Sequence, residues 1–494
     1  MSYRKEMLST SIRRLSLILL SALTCVCVTH AQQQGQQQSQ QQGGTEPEGQ
    51  SSEPIPAYHS PLASGADNGQ DATQPQTETP DNNSPAGAQS LSLGSLETRS
   101  YWQPYATVSA TGDSDALGPQ GGWTTYTSFS GGIDLHKLGN HSDLTLTYIG
   151  GGTVSDDGAI GNYVFQELSA VQKFHWRRYK LTFFDTLEYL PETAFGFGGL
   201  GIGGPSLPGG LTVGLQPGLT PQDSILTTRS QLIENSSFGQ FDVNLTPRSS
   251  ITLLAGYSLL DYFSNNLLNS NDTILQAGFN HQIGRNDTLS VLYRFSDYRF
   301  PGNSQSIHDN VVQLNYSKRV TGRLAFQVGA GPDYTLFNTP ILTSGSTSTQ
   351  TSQLLWSLTG SLTYGLMRGG LGLSYSHGVG GGSGIFVGSI ADTVTGTLTR
   401  RLTRTFDFGI NSGYARNSAL SVPGFGIPAQ SYDYWFAGAN LSHPFSRTLS
   451  LFASYQLEYQ TSNFGFCLGA TCGTSFVRHL ISVGVNWRSR PMLF

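Results

Sequence analysis

"TLSLFASYQLEYQ", Thr448 to Gln460, alternates with a period of two. One face carries Leu449, Leu451, Ala453, Tyr455, Leu457 and Tyr459; the other carries Ser450, Phe452, Ser454, Gln456, Glu458 and Gln460. Successive side chains of a strand point to opposite sides, so this segment is a strand with one apolar and one polar face. A soluble sandwich would bury that apolar face under a second sheet, and one strand alone does not decide the matter. Its surroundings do.

The strand follows a short basic turn, "HPFSRTLSL", and the same grammar recurs from Tyr101 onward. An alternating run ends in a tight turn and a second run starts at once. The turns read "HKLGNHSDL", "HWRRYKL", "LTPRSSITL", "QIGRNDTL", "SKRVTGRL", "GLMRGGLGL", "RRLTRTF" and "HPFSRTLSL". Longer, variable stretches such as "FNTPILTSGSTSTQTS" separate the hairpins. Short turns at one end, long loops at the other and strands of about 9–11 residues or more describe a transmembrane β-barrel. In lipid an open sheet edge would leave backbone donors and acceptors unpaired, so a spanning sheet must close on itself.

Eight short turns join sixteen strands. A strand near Tyr101–Ala110 and a last one at Phe476–Arg488 bring the count to eighteen, with sixteen as the alternative. Either gives an all-β, antiparallel up-and-down barrel over residues 101–494 with room for an aqueous lumen. Composition agrees: only 12% of the chain is charged, 11% is aromatic, and there are 60 Gly and 22 Tyr. One strand breaks the pattern. In "YKLTFFDTLEYL" the lipid face reads Leu181, Phe183, Asp185, Leu187 and Tyr189, and a bare carboxylate there calls for a bulge, a rim position or a partner.

The amino terminus has a basic start (Arg4, Lys5, Arg13, Arg14), the apolar run "LSLILLSALTCVCV" and then "THAQQQ". That is a secretory signal peptide, residues 1–31, with cleavage after Ala31; the apolar run is too short to span a bilayer. Residues 32–100 begin "QQQGQQQSQQQGG" and hold eight acidic residues, all before Arg99. So polar a segment cannot bury enough apolar surface to offset its chain entropy, and disorder is expected.

The final strand, with Ile481, Val483, Val485 and Trp487 alternating, resembles the C-terminal signal read by the assembly machinery of bacterial outer membranes. Such proteins usually stop at the aromatic residue, whereas "RSRPMLF" follows here, so Trp487 or Phe494 is the recognised residue. The resemblance implies an outer-membrane location, surrounding outer-membrane lipid and that machinery as partners. Pairing this strand with its predecessor sets Gln460 opposite Phe476, Glu458 opposite Arg478 as a lumen ion pair, and Phe452 opposite Gly484.

Chemistry candidates are few. Cys467 and Cys472 share the last long loop and suit a disulfide in an exported chain. The ten His form no recognisable catalytic or metal motif, so no enzyme, metal or cofactor is expected. "GFGGLGIGGPSLPGG", Gly196 to Gly210, twice satisfies the dinucleotide spacing G-x-G-x-x-G, but no helix opens at it and two prolines interrupt it. It lies in the third long loop, Pro191 to Asp223. In diffusion porins, which this plan resembles, that loop folds into the lumen and narrows it. Gly196, Phe197, Gly199, Leu200, Gly201 and Ile202 would then form an apolar constriction or lid.

Basic residues gather at the short turns and acidic ones near the long loops, while the lumen itself should hold few charges. The acidic segment 32–98 would therefore dock on the basic periplasmic rim or meet a periplasmic partner through residues 32–100. The expected function is an outer-membrane channel passing small polar or sugar-like solutes, with no role for nucleic acid. A second reading, from a resemblance to porin-like barrels linked to exopolysaccharide export, is a barrel serving a partner-dependent envelope system.

Overall fold

The alternating runs form strands that pair in sequence order. A computed structural model describes residues 99–114, 122–155, 162–190, 231–263, 267–301, 305–340, 348–381, 387–403, 405–420, 431–462 and 475–494. The signal peptide, nearly all of the acidic segment, both loop cysteines and the third long loop fall outside these residues. The first nine strands are β1 (Tyr101–Asp113), β2 (Thr124–Leu138), β3 (Ser142–Ser155), β4 (Tyr163–His175), β5 (Tyr179–Leu190), β6 (Leu232–Thr246), β7 (Ser249–Tyr262), β8 (Ser270–Gln282) and β9 (Asp287–Arg299). They are followed by β10 (Ser306–Arg319), β11 (Leu324–Pro340), β12 (Ser348–Leu366), β13 (Gly369–Gly380), β14 (Ser389–Arg401), β15 (Asp407–Ala419), β16 (Ser431–Pro444), β17 (Leu449–Ser462) and β18 (Phe476–Arg488).

Each strand pairs antiparallel with its neighbours, and β1 pairs with β18 from Tyr105 opposite Arg488 to Asp113 opposite Leu480. The sheet is therefore a closed barrel of eighteen strands, and closure removes the edges that lipid could not satisfy. Past Arg488 the chain does not leave the wall. Pro491 breaks the strand, yet the two-residue β19 (Met492–Leu493) pairs with Trp102 and Tyr101, extending the seam below β18.

The ladder between β17 and β18 sets Gln460 opposite Phe476, Glu458 opposite Arg478 and Phe452 opposite Gly484. Burial follows the alternation: Phe452 is 8% exposed while its neighbour Leu451 is 42% exposed. The same contrast separates inward Leu292 from outward Val291 and inward Val311 from outward Val312. The outer face is thus apolar. Exposed Trp176, Tyr179, Phe406, Phe445 and Trp487 circle the short-turn end; Trp123, Phe263 and Trp435 mark the long-loop end. Aromatic girdles around an even-stranded closed barrel are the outer-membrane plan, and the protein is an outer-membrane β-barrel.

Asp185 does point outward, and it has partners. Ser237 Oγ and Asn235 Nδ2, both on the outer face of β6, donate to its Oδ1, the latter at 3.3 Å. Of the three alternatives it is the partner that is present; β5 pairs with β6 without a bulge.

Candidate functional site

The inward face of the barrel is the surface a solute would meet. Much of it is small and uncharged: Ser109, Thr111, Ser128, Ser236, Thr252, Ser258, Ser296, Thr335, Ser450 and Ser482 are all buried there. Hydroxyls bridge neighbouring strands, as between Thr111 and Ser482 at 2.8 Å and Ser128 and Thr153 at 3.2 Å.

The expectation of few inward charges is wrong. Alternation places Asp113, Glu167, Glu234, Asp272, Asp309, Asp333 and Glu458 on the inner face, each less than a tenth exposed. All lie in the half of the barrel nearer the long loops, where Arg294 and Arg478 are buried among them. A strand-by-strand scan sees each carboxylate as an isolated polar residue; only the register stacks them.

Three groupings result. At the closing seam, Arg478 binds Asp113 and lies 3.5 Å from Glu458. On the opposite side of β1, Glu167 of β4 faces Glu188 of β5, which faces Glu234 of β6, so three carboxylates share one rung. On β8 to β11, Arg294 sits among Asp272, Asp309 and Asp333. There Val311 is paired with both Arg294 and Asp333, and Ser296 is paired with Asp309.

In the short-turn half the inward carboxylates are held by local contacts. His136 Nε2 meets Asp143 at 2.8 Å, Arg488 meets Asp134, and Asp242 accepts from Thr252 at 2.6 Å and Gln240 at 2.8 Å. Outside it, Lys137, Arg177, Arg178, Arg248, Arg285, Arg323, Arg368, Arg400 and Arg447 stand exposed around the rim. Charge thus changes sign along the barrel axis.

Two apolar clusters flank the acidic groups. Ile149, Phe165, Leu232, Leu260 and Tyr262, joined by Tyr105 and Leu267, border the glutamate rung. Tyr298, Phe300, Ile307, Phe337 and Val379, joined by Leu355, Val387 and Leu420, cap the Arg294 group on its long-loop side. The second cluster gathers residues from β9 to β13 and from the connections that flank β14 and β15. Tyr298 Oη donates to the carbonyl of Val379 at 3.4 Å, fixing the end of β13 to the wall at β9.

Gly388, just before β14, packs against Ile307 of β10. Its φ of +78° lies in the left-handed region, and a Cβ there would sit 2.2 Å from Ile307 Cδ1.

The β10–β11 ladder is interrupted beside the charges. Pro332 supplies no ladder donor, and the pairing of β10 with β11 skips from Val311–Asp333 to Leu314–Ala330. At Gly331 a Cβ would lie 1.8 Å from the Val312 carbonyl, so only glycine fits. Gln313 Nε2 then reaches past β11 to Thr359 of β12 at 3.1 Å.

Of the residues singled out from sequence, Glu458 and Arg478 face one another in the lumen. Ile481, Val483 and Trp487 are exposed on the lipid face, with Val485 half-buried between them. Cys467 and Cys472, and the loop residues Gly196, Phe197, Gly199, Leu200, Gly201 and Ile202, lie outside the described residues.

No protein-family model matches the chain, and no curated protein matches it. Solved structures do. OpdQ of Pseudomonas aeruginosa is 11% identical, the match covering 80% of this chain and 99% of that one with a TM-score of 0.38. OccK2 (OpdF) of the same organism, in complex with glucuronate, is 12% identical over 79% and 98% of the two chains, TM-score 0.39. OpdK with vanillate is 12% identical over 78% and 99%, TM-score 0.38.

Proposed function

We propose that the protein is an outer-membrane channel for passive diffusion of small polar solutes. The observation that supports this is the lining. A barrel of eighteen strands is wide enough for an aqueous path, and its inner face is hydroxyl-rich, with carboxyl and guanidinium groups concentrated in the outer half. Carboxylates outnumber guanidinium groups there, so the pathway favours cations over anions by raising their local concentration.

The apolar cluster around Tyr298, Ile307 and Val379 narrows the path on the long-loop side. The third long loop, residues 191–223, is assigned the same role on its sequence: Gly196 to Ile202 is an apolar, glycine-rich segment. Purified protein added to a planar lipid bilayer is the test. Stepwise ionic conductance is expected, with larger steps after deletion of residues 196–210. Absence of any conductance from folded protein overturns the channel reading, and unchanged steps in the deletion variant remove the loop from the path.

A further inference from the structure

We propose that the basic rim at the short-turn end of the barrel is a docking surface for the acidic segment of the same chain, residues 55–98. Charge drives the contact, whatever the lumen conducts.

Each of the eight short turns has an exposed basic residue in it or beside it, from Lys137 at the first to Arg447 at the last. The carboxylates of this end are engaged by other groups. Asp134 meets Arg488, Asp143 meets His136 at 2.8 Å, Asp287 meets Lys318 at 3.2 Å and Asp407 meets Arg401 at 3.2 Å. Asp242 accepts from Thr252 at 2.6 Å and Gln240 at 2.8 Å. Because the turns follow one another around a closed barrel, the remaining cations form a ring. Solvation keeps charges out of the lipid band and so places them at a rim. It does not explain an excess of one sign, since an exposed Asp or Glu is solvated as well.

Residues 55–98 supply the opposite sign. They contain Asp67, Asp71, Glu78, Asp81 and Glu97 and neither Lys nor Arg. They also join the wall at this end. Arg99 is exposed, and Ser100 Oγ accepts from the backbone N–H of Leu138, the last residue of β2 before the first short turn, at 2.9 Å. Eighteen strands about 4.8 Å apart and tilted by about 40° enclose a mouth about 35 Å across. A flexible chain as long as 55–98 has an end-to-end distance of about 35 Å. Its carboxylates therefore reach turns around most of the ring.

Ion pairs at a solvated surface are individually weak. Tethering supplies what they lack, because a short flexible link holds its cargo at an effective concentration on the order of millimolar. Anionic phospholipid headgroups and the segment of a second copy are the competing occupants, and neither is fastened beside the ring by the chain itself. Once docked, the segment cancels part of the positive field that a solute meets at this mouth.

The test is photo-cross-linking of the full-length protein with benzoylphenylalanine in place of Gln76, which lies between Asp71 and Glu78. In neutral detergent at about 0.1 M salt, where charges act over about 10 Å, cross-links from position 76 to the short turns of the same chain are expected. Their yield should fall about tenfold at about 1 M salt, where that range shrinks to about 3 Å. D67N/D71N/E78Q/D81N, which leaves the barrel untouched, should lower the low-salt yield by a similar factor. R177Q/R178Q/R248Q/R285Q, all exposed positions, should deplete the cross-links at those turns, with folding checked by heat-shifted gel migration. Equal yields in wild type and the segment variant, or yields that ignore salt, overturn the docking. Cross-linked dimers in place of products within one chain assign the rim to a second copy. Loss of the cross-links at low salt in vesicles containing phosphatidylglycerol assigns it to lipid. Either of these results also overturns docking by the chain's own segment.

Discussion

Arg478 of β18 grips Asp113 of β1 through two parallel hydrogen bonds, Nε to Oδ1 at 3.0 Å and Nη2 to Oδ2 at 2.7 Å. The two residues are 365 positions apart and meet across the seam that closes the barrel. Their side chains are 5% and 0% exposed, so the bidentate pair is shielded from solvent. Removing one member leaves the other buried and charged. Arg478→Ala is expected to destabilise the folded barrel by about 3–5 kcal/mol, read as a shift of the urea unfolding midpoint in lipid vesicles. A change below about 1 kcal/mol, the range of exposed pairs, would mean that the seam does not depend on this contact.

Asp185 faces lipid only because Ser237 and Asn235 share its charge. Ser237→Ala should cost about 1–3 kcal/mol, since it strips a donor from a poorly solvated carboxylate. Adding Asp185→Leu to that background should restore stability to wild type or better. Unfolding in vesicles measures both. No recovery in the double variant would show that the carboxylate has a role other than being tolerated.

The apolar cap over the Arg294 group depends on close packing at Gly388. Gly388→Val forces a β-branched residue into a left-handed backbone at about 1–2 kcal/mol and drives its Cβ against Ile307. Gly388 should then lose its packing on Ile307, raising single-channel conductance while the barrel stays folded. Ile307→Ala should widen the path in the same direction with no backbone strain. Conductance steps equal to wild type in both would place the cap outside the path.

Phe452 lies over Gly484, where an added Cβ would come within 2.5 Å of its ring and 2.6 Å of the Val108 carbonyl. Gly484→Ala should therefore destabilise by about 1–3 kcal/mol through overpacking. Phe452→Ala should rescue only part of the loss, because the carbonyl is backbone. Folding yield after dilution from urea into detergent reports the effect.

Carboxylates in the outer lumen should make the reversal potential cation-selective in a salt gradient. Selectivity should decline as ionic strength rises from about 0.1 M to about 1 M, where the screening length falls from about 10 Å to about 3 Å. Anion selectivity at low salt would contradict the assignment of the inner face.

Local sequence determined a great deal here. Alternation with a period of two names the two faces of Thr448–Gln460, and turn length separates the two ends of every hairpin. Parity of strands then yields eighteen. All of this is local, because a strand's faces follow from its own pleat and a hairpin's register from its own turn.

Which charges meet is not local. Asp113 and Arg478 come together only when the sheet closes. Glu167, Glu188 and Glu234 share a rung only because the registers of two successive strand pairs add. Asp309, Asp333 and Arg294 converge only through the combined registers of β9, β10 and β11. In sequence each of these residues is one polar position among many in an alternating strand. The placement of the lumen's charged side chains was decided by closure, which sums small offsets over the whole circumference and which no single strand encodes.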